Sequence, residues 1–256
     1  MNWFTTNDLF QRDGPFTFSI DYIIWYVAAV LFVCAGIYFL CKHKSEKRIK
    51  VVMIVLWAIN VTLDAVKLIV NIRRGFSIGG GLPLYVCSLF LYVMPVAIWG
   101  KGIFRNIASA YICTIGLFGA IANYAVPSVI ESYSLFSFFG FHTTLFHTIL
   151  WITPLVMLCT GYFRFQWKEF GWQILSFVII TFPVVIFNYI ADTNYMYFNT
   201  GIFIEDFAAK VSYAWPLFAY ASYAVIMMTM QLIIMGVTRL VKMVASKIKK
   251  VKENNE

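Results

Sequence analysis

Residues 51–72 read VVMIVLWAINVTLDAVKLIVNI, and apart from Asn60, Thr62, Asp64, Lys67 and Asn71 every one of them is apolar. About 20 residues of helix cross the hydrocarbon core of a bilayer, so the stretch has the length and composition of a membrane span. Asn60, Asp64, Lys67 and Asn71 are spaced four, three and four apart. At about 100° per residue they share one face of the helix. An ionised group near the bilayer centre costs roughly 2.5–3.5 kcal/mol on insertion scales, so this face must turn away from lipid and into a bundle of other helices. Asp64 and Lys67, three apart, can neutralise one another across a turn. Two readings follow: a structural ion pair joining helices, or a polar cavity with a working role. The two asparagines extend the stripe further than the pair alone requires.

The rest of the chain supplies such a bundle. Hydrophobic residues make up 61% of the 256 and charged residues 12%, against roughly a quarter charged in an ordinary globular domain. That is too little charge to cover a water-soluble surface. Stretches near 22–41, 51–72, 82–99, 106–126, 141–162, 172–190 and 214–237 can each cross a membrane, giving an all-α polytopic bundle of about seven spans. Lipid offers no partner to an unpaired backbone group, so the spans are expected as helices. Pro83 suits the first turn of the third, after a flexible break at Gly79, Gly80 and Gly81.

Basic residues set the expected orientation. One set of connections holds Lys42, Lys44, Lys47, Arg48, Lys50, Lys101, Arg105, Arg164 and Lys168, and six more follow from Arg239 to Lys252, fifteen in all; the other set holds Arg12, Arg73, Arg74 and Lys210. Fifteen against four predicts a cell-membrane protein with its N-terminus outside and its C-terminus in the cytoplasm. The domain reading is an extracytoplasmic segment over 1–21, a transmembrane domain over 22–238 and a basic tail over 239–256. Residues 1–21 carry Asp8, Arg12, Asp13 and Asp21 and lack the basic-then-apolar order of a cleavable signal. The tail is expected as a basic, partly apolar helix on the anionic inner leaflet, each cation contributing roughly 1 kcal/mol. The net charge of +8 is thus assigned to membrane lipids as partners and not to nucleic acid. Trp99, Trp167, Trp172 and Trp215 fit an aromatic belt or simple lipid-facing packing.

Cys34, Cys41, Cys87, Cys113 and Cys159 lie in or beside apolar stretches, and an odd, scattered set is no disulfide framework. His142 and His147 are five apart, on different faces of a helix, and no zinc-type spacing is present, so neither metal nor cofactor is expected. The seventh span has no lysine for a retinal Schiff base, and the expected signatures of a G-protein-coupled receptor are missing. Applying the topology places Tyr85, Cys87, Ser88, Asn123, His147, Asn188, Asp192, Asn194 and Tyr195 toward the outer leaflet, with the inner halves almost purely apolar. That asymmetry predicts one polar chamber in the outer half.

Three segments carry a resemblance. Residues 81–89, GLPLYVCSL, resemble the LPLHLC motif of the YwaF-like integral membrane proteins of bacteria. Leu145-Phe146-His147 places a histidine in the fifth span, as in that family. Residues 188–198, NYIADTNYMYF, are similar to the family's N-x-x-x-G-T-N-Y-x-Y-L ending. The resemblance covers about residues 15–240. The family looks distantly similar to a eukaryotic transmembrane acyltransferase that uses a cysteine on ether phospholipids, and to membrane hydrolases of fatty-acid esters that use threonine and histidine. The resemblance therefore implies intramembrane acyl chemistry on lipids. Tyr85 stands in place of the motif's histidine and Asp192 in place of its glycine, and the relatives' nucleophile falls at Leu84 or Cys87 depending on the gap.

The expectation is acyl transfer or ester hydrolysis on a lipid, with His147 as base and Cys87 as nucleophile, the arrangement that activates a thiol. Asp64, Lys67, Asn71, Tyr85, Asn123, Asn188, Asp192, Asn194 and Tyr195 are the expected substrate-binding groups, the amides among them able to hold an oxyanion. The alternative is a protein that binds or transports a small solute or lipid without catalysis. Each residue type also has a plainer role: buried cysteine is usually a small apolar residue, and a lone membrane histidine is as often a packing group as a base.

Overall fold

The computed structural model describes residues 20–73, 75, 81–125, 135–199 and 214–253. Nearly all of the expected N-terminal segment lies outside the described residues, as do Gly79, Gly80, Arg74 and Lys210. The described residues form helices and no strand: α1 Ile20–Lys42, α2 Glu46–Arg73, α3 Phe90–Trp99, α4 Gly102–Tyr111, α5 Leu117–Ala125, α6 Phe138–Cys159, α7 Phe170–Ala191 and α8 Trp215–Glu253. A π-helical turn, Ile112–Gly116, joins α4 to α5, and 3-10 turns Trp167–Glu169 and Tyr195–Tyr197 flank α7. Six helical segments, with α4 and α5 forming one, are long and apolar enough to cross a membrane.

The third expected span is different. Only Phe90–Trp99 is regular α-helix, which at 1.5 Å per residue covers about half of a bilayer core. Residues 82–89 are bends and turns, so Pro83 precedes the helix and does not open it. The chain nevertheless makes this pass. Gly81 lies beside Asn71 near the end of α2, while Arg105 Nη1 lies 3.2 Å from Glu46 Oε1 at the start of α2. Residues 81–99 therefore return the chain from one end of the bundle to the other. The starts of α4 and α7 meet there too, Asn106 Nδ2 donating to Glu169 Oε1 at 3.0 Å. So does the end of α6, where the Tyr162 hydroxyl donates to Ala97 O at 2.8 Å. We call this the basic end, since it also carries Lys42, Lys44, Lys101, Arg164 and Lys168.

Irregular backbone at membrane depth is tolerated only where protein satisfies its polar groups. Two tyrosines do that here, and a tryptophan serves the carbonyl that Pro95 leaves free in the helix that follows. The Tyr195 hydroxyl accepts from Leu82 N at 3.0 Å, the Tyr111 hydroxyl donates to Val86 O at 2.8 Å, and the Trp57 indole donates to Leu91 O at 2.8 Å. Tyr111 opens the π turn, whose five residues are all buried. Such a turn carries one more residue than an α turn would.

Two sequence expectations are corrected. The basic half is not purely apolar: Glu169 and Gln173 are 7% and 2% exposed and sit with Asn106 between α4 and α7. Trp215 is no belt residue; it is buried, its indole donating to Tyr197 O at 2.8 Å, whereas Trp99, Trp167 and Trp172 are exposed. Helix α8 runs unbroken across 238–239 to Glu253, there being neither glycine nor proline after Gly236.

Candidate functional site

The polar face of α2 turns inward as its spacing requires. Asn60 and Asp64 are buried, and Lys67 and Asn71 are half-buried. Asn60 Nδ2 donates to Phe146 O at 3.4 Å, which clamps α2 against α6. Asp64 Oδ1 stands 3.6 Å from Lys67 Nζ and also 3.6 Å from His142 Nε2 on α6. The expected pair is thus a three-membered cluster. His142 is the member that sequence reasoning missed, because nothing in a helical spacing reveals a partner on another helix. Its ring stacks on Phe146, centroids 5.6 Å apart, and is buried.

His147 lies on the same helix, half-buried. Its Nδ1 is 2.8 Å from Thr143 O. A carbonyl oxygen can only accept, so this bond requires the proton on Nδ1 and leaves Nε2 as the basic nitrogen. Lys67 and His142 thus meet at Asp64 between α2 and α6.

Cys87 sits in that segment, its Cβ packed 3.7 Å from where a side chain on Gly119 of α5 would begin. Asn123 is one helical turn further along α5 and on the same face as Gly119. Its Nδ2 is buried and has no hydrogen-bond partner among the described residues. A buried donor left unpaired costs about 1–3 kcal/mol, a penalty that needs an explanation.

The segment after α7 is built differently. Asn188 Oδ1 accepts from Tyr195 N at 2.8 Å and from Thr193 Oγ1 at 2.9 Å, while its Nδ2 donates to Tyr195 O at 2.8 Å. Both amide atoms are engaged in ending the helix. Asp192, exposed, takes the left-handed conformation at φ 49° that closes α7. Asn194 Oδ1 accepts from Asn199 N at 3.0 Å. Tyr195 is buried and packs edge-on to Tyr85, centroids 4.9 Å apart. Tyr85 itself is 42% exposed. The site residues proposed from sequence are thus placed in separate settings: Asp64 and Lys67 meet His142 between α2 and α6, with His147 further along α6; Cys87 packs on α5, which also carries Asn123; and Asn188, Asp192, Asn194 and Tyr195 build the end of α7, Tyr195 reaching Leu82. Asn71 and Tyr85 lie at the borders. Among the described residues no three histidines, cysteines or carboxylates are placed to hold a metal ion.

Residues 16–238 match the TMEM164 family. The chain belongs to that family. This TMEM164-family protein is accordingly a multi-pass membrane protein, in agreement with its long apolar helices. No curated protein and no solved structure matches it. The family match spans every element described above up to Thr238 of α8, including both motif segments and the α2 cluster.

Proposed function

We propose that this TMEM164-family protein is a YwaF-like member that performs intramembrane acyl transfer or ester hydrolysis on a lipid, in the half of the cell membrane away from the basic end. The observation that carries the reading is the pairing of Cys87 with a buried, unsatisfied donor: Cys87 packs on Gly119, and Asn123 Nδ2 is unpaired one turn away. A donor held ready without a protein partner is what an oxyanion site requires.

In this reading the Cys87 thiol gives its proton to His147 Nε2, and the thiolate attacks the carbonyl carbon of a lipid ester. The negative charge that develops on the carbonyl oxygen is held by Asn123. The carbon–oxygen bond to the leaving alcohol breaks, His147 returns the proton to that oxygen, and a thioester remains on Cys87. Water or a second lipid hydroxyl then accepts the acyl group. Asp64, with Lys67 on one side and His142 on the other, sets the local field and keeps α2 and α6 in register. Tyr85, exposed at the border, and Asn71 contact the substrate, and the segment from Asn188 to Tyr195 positions Cys87 through Leu82. The resemblance to lipid acyltransferases and ester hydrolases supports the substrate class. The basic tail of α8 would rest on the anionic inner leaflet.

The test is made on purified protein in vesicles containing a phospholipid with a labelled ester chain. Label should appear on the protein as a hydroxylamine-labile adduct, disappear in Cys87→Ala and His147→Ala, and form some 10²–10³-fold more slowly in Asn123→Ala, the usual loss for one oxyanion donor. No adduct and no released or transferred chain in the wild type would leave binding without catalysis as the reading. Lipid profiles of cells lacking the protein, beside cells carrying His147→Ala, supply the same comparison in vivo.

A further inference from the structure

The opposite end of the bundle holds a second feature, independent of the chemistry proposed above. A cavity of about 380 Å³ opens between the end of α6, the turn over residues 160–165 and the middle of α8. Its lining includes four cations, Lys44, Arg164, Arg239 and Lys242, and no acidic residue. Leu158, Cys159, Phe163, Phe165 and Met235 supply an apolar part of the wall, and Thr160 and Thr238 add hydroxyls.

Two of the cations converge. Gly161, at φ +66°, turns the chain after α6, and a side chain built there would meet Lys44 Nζ at 3.5 Å and Arg164 Nη2 at 3.7 Å. Lys44 and Arg164 therefore face one point from two elements, and Arg239 and Lys242 line the same cavity from a third. Elsewhere at this end carboxylates offset the cations: Glu46 lies 3.1 Å from Lys50 and 3.2 Å from Arg105. Among the described residues none of the four cavity cations is paired with a carboxylate. Like charges gathered around a partly apolar hollow repel one another unless an anion lies between them.

We propose that this cavity is a binding site for the phosphate group of an anionic phospholipid, the headgroup lying among Lys44, Arg164, Arg239 and Lys242 and the upper acyl chain against Leu158 and Met235. Two arguments select a lipid over a soluble phosphate. The cavity lies at the end of the membrane-spanning helices, where headgroups are found, and five of its twelve lining residues are apolar side chains. Arginine and lysine together suit a phosphodiester: the guanidinium supplies paired donors and the ammonium a point charge. The ligand would touch the α1–α2 connection, the end of α6 and the middle of α8 at once.

The experiment uses full-length protein in a neutral detergent, titrated with phosphatidylglycerol, phosphatidylcholine or inorganic phosphate, with bound lipid counted by native mass spectrometry. A variant carrying Lys44→Gln, Arg164→Gln, Arg239→Gln and Lys242→Gln is compared with a control of equal charge loss, Lys42→Gln, Lys47→Gln, Lys101→Gln and Lys168→Gln. Wild type and control should retain phosphatidylglycerol over phosphatidylcholine, and the cavity variant should lose roughly tenfold or more of that preference. Its melting temperature without added lipid should stay near that of wild type, which separates lost binding from lost folding. Equal loss in the control would overturn the proposal in favour of a diffuse surface field. Inorganic phosphate that binds as tightly as phosphatidylglycerol would overturn the lipid as source and leave a soluble phosphate ester in its place.

Discussion

The hydroxyl of Tyr195 accepts the backbone N–H of Leu82 at 3.0 Å, so two motif segments more than a hundred residues apart in the chain are joined by one bond. Leu82 opens the irregular segment that carries Cys87, and the Tyr195 hydroxyl is the acceptor of its N–H among the described residues. Tyr195→Phe keeps the ring and its contact with Tyr85 but leaves that donor unsatisfied. The expected loss is about 1–3 kcal/mol, read as a lower melting temperature in detergent. Labelling of Cys87 by a membrane-permeant maleimide should rise in parallel. An unchanged melting temperature would show that the bond contributes nothing.

Asp64, Lys67 and His142 should not behave alike when neutralised. Asp64→Asn leaves Lys67 without its carboxylate, and breaking a buried pair in this way destabilises by about 3–5 kcal/mol. Lys67→Gln removes one neighbour of Asp64 but leaves His142 at 3.6 Å, so its effect should be smaller. The double variant should recover part of the Asp64→Asn loss. Strictly additive losses across the cycle would show that the two groups do not interact.

Gln173 is buried with neither amide atom hydrogen-bonded among the described residues. Gln173→Leu retains similar volume and removes two unsatisfied groups, so thermal stability should rise by about 1 kcal/mol. A fall of that size would mean that the amide serves a partner at the basic end.

We propose that the six long apolar helices and the 81–99 pass together make seven crossings, with the C-terminus on the cytoplasmic side as the loop charges predict. A reporter fused after Glu256 should be active only in its cytoplasmic form, and one placed in the 191–213 connection only in its external form. The reverse pattern would invert the assignment while leaving the helix order intact.

Much of this was legible from sequence because hydrophobic length is a one-dimensional property. Stretches such as 51–72 and 172–190 need no partner to be recognised, since the bilayer itself is the solvent that selects them. The inward face of α2 was legible for the same kind of reason: Asn60, Asp64, Lys67 and Asn71 are local in the chain, and a 3.6-residue period decides their common direction. The third span misled because residues 82–99 have the length and apolarity of a helix. Whether residues 82–89 are helical depends on Tyr111 and Tyr195 taking over hydrogen bonds that a helix would make for itself.

Sequence by itself thus determined that the chain lives in a membrane, roughly where it crosses, and that α2 must hide charge. Tertiary structure alone decided what that charge meets. His142 reaches Asp64, Cys87 reaches Gly119, and Glu169 reaches Asn106 across helix interfaces whose residues are distant in the chain. The packing of helices against one another sets those meetings. No periodicity records them, because a helical pattern specifies which way a side chain points and not what stands opposite.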